Sequence, residues 1–138
     1  MLAKVLMCAS AAIALLLGTT HLVYTFWSNK FSPRDAQLMT QMQNVSPRIT
    51  RHTTMWQAWI GFNASHSMGA MLFGLVYGYL AINHSALLFA SAFLLAVGFT
   101  MLAGFLALGV RYWFRVPIIG IAIALACYVL AIASAKFA

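Results

Sequence analysis

Long apolar runs alternate with short polar ones along this chain. An α-helix needs about 20 mostly apolar residues to cross a bilayer. Four runs reach that length: 5–27, 55–82, 86–110 and 116–135. Lys4 and Lys136 mark their outer ends. The pattern predicts an all-α fold, a four-helix transmembrane bundle forming one integral membrane domain over residues 1–138. The first run ends in Tyr24, Phe26 and Trp27, residue types that gather at the membrane–water boundary. It also lacks a small-x-small cleavage site before a polar segment. It therefore reads as a retained helix rather than a cleaved leader. Trp56 and Trp59 open the second run, and Tyr112, Trp113 and Phe114 lie between Arg111 and Arg115 at the third-to-fourth turn.

The connection 28–54 is the sizeable polar segment. Ser32-Pro33-Arg34-Asp35 has the form of a helix start, with Ser at the N-cap, Pro at the first helical position and an acid in the first turn. Ala36, Met39 and Met42 then share a stripe, which predicts a short amphipathic helix on the membrane surface. Ser46-Pro47-Arg48 repeats the start signal, so a second short helix is expected to lead into the second span. Ser85 is expected to cap the third. Asn83-His84-Ser85 spells a glycosylation sequon, but a turn that tight against the membrane is a poor acceptor.

Within the first two runs, polar and small residues fall into stripes. At 100° per residue, Ser10, Ala14, Gly18, His21, Tyr24, Thr25 and Ser28 lie within about 60° of one direction. In the second run, Trp56, Trp59, Asn63, His66, Ser67, Ala70, Gly74 and Gly78 form the matching stripe. Gly74-x-x-x-Gly78 and Gly61-x-x-x-Ser65-x-x-x-Gly69 are spacings that permit close helix contact. His21 should lie about 9 Å inside the membrane, and Asn63 and His66 about 10 and 15 Å, measured from the same side. These depths predict a polar pocket between the first two membrane helices. Its lining would be His21, Tyr24, Asn63, His66 and Ser67, with Arg111, Tyr112 and Arg115 at its mouth. The plainer reading is that Asn, Ser and His serve as interhelical hydrogen-bond partners. His52 and His84 fall at headgroup level.

Composition sharpens this picture. Of 138 residues, 64% are hydrophobic and 7% charged, with a mean hydropathy of +0.91. Soluble domains are about a quarter charged, so most of this surface must face lipid. Eight Lys and Arg stand against one acid, Asp35, for a net charge of +7. The cations sit at the ends of apolar runs, which points to anionic lipid headgroups rather than nucleic acid as partners. Six of the eight lie in the first and third connections (Lys30, Arg34, Arg48, Arg51, Arg111 and Arg115). By the positive-inside rule this places the connection 28–54 in the cytoplasm and both termini outside. Cys8 and Cys127 lie inside apolar runs, show no metal spacing and read as packing residues. Met7 and the short run before Cys8 speak against a lipoprotein cysteine.

One acid excludes several chemistries. Paired carboxylates for glycoside hydrolysis are impossible, as is a carboxylate-bridged di-iron site. A Ser-His-Asp triad would need Asp35 from the surface segment. No acid stands at mid-membrane, where an ion-coupled transporter usually has one. Histidine acid–base chemistry survives these exclusions, as does haem ligation by two histidines on separate helices.

Gly18-Thr-Thr-His21 with Tyr24, Ser32-Pro33, Trp59-Ile-Gly-Phe-Asn63-Ala-Ser-His66-Ser67 and Arg111-Tyr-Trp-Phe-Arg115-Val-Pro117 together resemble a group of uncharacterised four-helix bacterial inner-membrane proteins. The resemblance covers most of the chain. It implies a bacterial inner membrane and four helices, and brings no activity with it.

Two functional readings follow. The first is a non-catalytic accessory subunit, or a lipid- or quinone-binding module, docking into a larger membrane complex or a homo-oligomer. The second is a histidine-based membrane enzyme or a haem or redox protein that uses His21 and His66. No cofactor is specified by these residues.

Overall fold

The computed structural model describes residues Met1–Lys136. Among them 83% are helical and no strand occurs. The helices are α1 (Leu2–Trp27), α2 (Ala36–Asn44), α3 (Met55–Asn83), α4 (Ser85–Ala90), α5 (Ala92–Tyr112) and α6 (Arg115–Lys136). Four of them, α1, α3, α5 and α6, are long and apolar enough to cross a membrane. Their surfaces agree with that environment. Leu16, Phe62, Leu72, Phe93 and Val116 are each more than 60% exposed. Apolar surface on that scale belongs in lipid, where the helix satisfies its own backbone hydrogen bonds. The chain is an integral membrane protein.

Three helix boundaries differ from the sequence expectation. The start of α2 is set by Asp35 rather than Ser32. Asp35 has extended backbone angles, and its carboxylate accepts from Gln37 N at 2.8 Å and Leu38 N at 3.4 Å. A carboxylate there meets two orphan amides and the positive end of the helix dipole at once. Ser32-Pro33 instead belongs to a turn in which Ser32 N donates to Asn29 O.

Ser46-Pro47-Arg48 starts no helix. It forms a turn closed by Thr50 N donating to Pro47 O, and α3 begins later, at a reciprocal cap. Gln57 N donates to Thr54 Oγ1 at 3.3 Å, while Gln57 Oε1 accepts from Thr54 N at 3.2 Å. This is the capping box, spelled Thr54-x-x-Gln57. Thr54→Ala is expected to weaken the first turn of α3 by about 1 kcal/mol. Faster amide exchange confined to residues 55–58 would register it, and unchanged exchange there would count against the cap.

The third apolar run is not one helix. It breaks at Ser91, whose hydroxyl caps α5 by accepting from Leu94 N at 3.3 Å. Ser85 is the first residue of α4 and caps nothing; His84 holds the N-cap position without a side-chain bond to the amides of α4.

The chain divides into two compact units, one of Gly18–Gly69 and one of Met1–Leu17 with the residues from Ala70 onward. The helices α1 and α3 each contribute to both. The core of the second unit gathers Met7, Ala11 and Ala14 of α1, Phe73, Tyr77 and Ala81 of α3, Leu88 of α4, Leu102 of α5, and Ala124, Tyr128 and Ala131 of α6. Small residues dominate the α1 side, which lets backbones meet. A Cβ on Gly74 would lie 2.6 Å from Ala11 O and 2.9 Å from Leu15 N. Two tyrosines anchor the other side. Tyr77 and Tyr128 donate to Leu94 O and Leu95 O at 2.6 and 2.9 Å. Gly98 leaves room for them, since a Cβ there would meet Tyr77 ring atoms at 2.7 Å. A buried tyrosine hydroxyl must find an acceptor, and a helix carbonyl supplies one without leaving the apolar layer.

Candidate functional site

The first unit carries the polar residues singled out by the stripes. Asn63 is its centre. It is buried on α3, and its amide nitrogen donates to Trp59 O one turn back at 2.8 Å. That bond fixes which end of the amide faces α1. The carbonyl Oδ1 is thereby turned to His21, whose Nε2 lies 3.0 Å away. An oxygen acceptor requires a proton on Nε2, so neutral His21 holds its lone pair on Nδ1. Ser67, fully buried, donates to Asn63 O at 2.9 Å. Thr25 likewise donates to His21 O at 2.8 Å. Each hydroxyl returns to a carbonyl of its own helix, the usual solution for a polar side chain in an apolar layer.

His66 lies one turn further along α3, half-buried, with its ring edge-on to His21. The ring centroids are 5.4 Å apart at 64°. On His21 also lies the ring of Phe31, at 4.5 Å and 34°. Phe31 comes from the connection after α1, and its backbone is pinned there, because Trp59 Nε1 donates to Phe31 O at 3.1 Å. One aromatic residue of α3 thus holds the loop that lays another aromatic ring over the imidazole.

His21, Asn63, His66 and Ser67 therefore come together as the stripes anticipated. Tyr24 turns elsewhere: its ring faces Lys30, with the ammonium 5.1 Å from the centroid, a cation–π contact at the membrane boundary. Arg111, Tyr112 and Arg115 belong to the other unit, where they are exposed around the junction of α5 and α6. Phe31 and the tie from Trp59 were not anticipated. No periodicity links residue 31 to residue 59, and nothing local marks an indole donor that reaches a loop carbonyl.

The arrangement offers one imidazole of defined tautomer, a second imidazole beside it, and aromatic walls. His21 Nδ1 can accept a hydrogen bond from a polar head, and a flat head can lie against the imidazole as the tilted Phe31 ring does. Among the described residues, no group of three or more His, Cys, Asp or Glu is placed to hold a metal ion. Haem held between the two histidines would need their rings on opposite faces of a porphyrin. Here the rings meet each other directly, and His21 Nε2 is engaged with Asn63. A cavity of about 460 Å³ lies in the other unit, lined by Leu2, Lys4, Ser85, Phe89 and Ser134 among others. None of its lining residues belongs to the expected pocket.

No protein-family model, no curated protein and no solved structure matches this chain.

Proposed function

We propose that this protein is a non-catalytic membrane module that holds the polar head of a lipid or quinone against His21 and His66. The observation that carries this reading is the His21–Asn63 bond under the Phe31 ring. The Nδ1 lone pair of His21 suits a hydroxyl head group, and the Phe31 ring tilted against the imidazole marks a face that a flat head can occupy. A quinone in its reduced form offers both a flat ring and hydroxyls that donate to such a nitrogen. The lack of carboxylates in the membrane-crossing helices favours binding over proton-coupled chemistry. The Gly74 and Gly78 face is occupied by α1, whereas the exposed small residues Gly61 and Ser65 suit docking into a larger membrane complex or a homo-oligomer. The Lys and Arg distribution supports placing the connection 28–54 in the cytoplasm, and the resemblance to four-helix inner-membrane proteins supports a bacterial inner membrane.

The test is mass spectrometry and an absorption spectrum of the detergent-purified protein, followed by titration with a short-chain ubiquinone analogue in its reduced form. A co-purifying quinone or lipid is expected, with no Soret band. His21→Phe and His66→Phe keep the ring shape and remove the nitrogens. Each is expected to weaken binding of the analogue about tenfold, the worth of one hydrogen bond to a desolvated head group. A clean ligand-free monomer that ignores the analogue would overturn the reading. A Soret band lost in His66→Phe would replace it with haem ligation.

A further inference from the structure

The connection between α1 and α3 carries apolar side chains that nothing in the first unit covers. Leu38 of α2 and Val45, the extended residue that follows it, are 46% and 54% exposed. Ile49, at the tip of the following turn, is 92% exposed. An isoleucine almost fully in water costs the free energy of its whole apolar surface, so a partner surface is called for. The turn is also held in place. Met55 N donates to Val45 O at 2.8 Å, which closes residues 45–55 into a loop seated on the start of α3. Both ends of the connection run into membrane-crossing helices, so it stays at the boundary of the bilayer.

The charges name the partner. Lys30, Arg34, Arg48 and Arg51 stand against Asp35, and Arg48 and Arg51 flank the isoleucine. Asp35 is already engaged by the amides of α2. A second copy of the same face would set like charges together, whereas an anionic leaflet is attracted to each cation.

We propose that the 46–53 turn is a membrane anchor that inserts Ile49 into a leaflet of anionic phospholipid, with Arg48 and Arg51 on the phosphates and the apolar side of α2 lying alongside. The role is separate from that of the histidines, since the contacts that build their site, His21 with Asn63, His66 and Phe31, involve none of the anchor's residues.

The test uses the full chain with Cys8→Ala and Cys127→Ala, which remove the two free thiols, and Ile49→Cys carrying a nitroxide. The exposure of residue 49 makes the label benign to folding. The protein is placed in nanodiscs of phosphatidylcholine alone or mixed with phosphatidylglycerol. In the mixed discs, oxygen should reach the label more readily than a water-soluble nickel chelate does. Arg48→Gln with Arg51→Gln should lower the ratio of inserted to free turn roughly thirtyfold, and phosphatidylcholine alone should lower it too. Ready access of the nickel chelate in both discs would overturn the proposal. Strong dipolar coupling between labels on two copies would also overturn it, by showing that a second copy covers the face.

Discussion

Gly74→Val is expected to lower stability by about 3 kcal/mol, the upper end of the usual cost of overpacking a closed contact. The reason lies in what the added carbon meets. A flexible side chain can swing away, but Ala11 O and Leu15 N are backbone atoms of α1, and their distances to a Cβ at residue 74 are 2.6 and 2.9 Å. The two helices must move apart, and every contact along Ala11 and Ala14 loosens with them. Gly78→Ala is the control, because its Cβ would meet Ala11 Cβ at an ordinary 3.6 Å. Unfolding by titration with denaturing detergent compares the two. If Gly74→Val unfolds at the wild-type midpoint, the close approach of α1 to α3 is wrong.

Asn63→Leu is expected to act on both stability and binding. It removes the acceptor of His21 Nε2 and the donor to Trp59 O together while keeping the branched shape of the side chain. A polar pair lost inside a membrane helix bundle costs about 1 kcal/mol. The larger effect falls on His21. Without Oδ1 nothing selects the Nε2-protonated tautomer, and binding of the quinone analogue should weaken about tenfold. Ring nitrogen chemical shifts read the tautomer directly. The wild type should show a single Nε2-protonated form, and Asn63→Leu a mixture. An unchanged tautomer with unchanged affinity would remove Asn63 from any functional role.

Much of the architecture was legible because bilayer length is a severe filter. Few soluble segments hold more than 20 apolar residues, and four in 138 residues leave little choice. The His21, Asn63, His66 and Ser67 grouping was legible for a related reason. A polar side chain in lipid needs a neighbour, so helical period alone brings candidates onto one face. Boundaries were harder, since local signals compete. Ser32-Pro33 and Asp35 are both good openings, and the carboxylate won by bonding two amides. The proline of Ser46-Pro47 serves a turn, and α3 opens instead at the Thr54-x-x-Gln57 capping box, which was not anticipated from the sequence. Ser91 gave no warning, because one hydroxyl inside an apolar run is ordinary. Phe31 over His21 depends on a contact between residues 28 positions apart in sequence, which no local pattern encodes. Tyr77 and Tyr128 sit within apolar runs, and a phenol in that setting is a sign that a carbonyl partner must be near.

The stop at Ser91 bears on membrane thickness. At 1.5 Å per residue, α5 alone measures about 32 Å and α6 about 33 Å, close to the roughly 30 Å hydrocarbon slab. The six residues of α4 are thus surplus to the crossing they precede. Within this third apolar stretch, the joint at Ser91, where α4 ends and α5 is capped, is the place where a mismatch with the depth of the bilayer can be taken up. The third apolar stretch carries its own length adjustment, while α6, unbroken from Arg115 to Lys136, carries none.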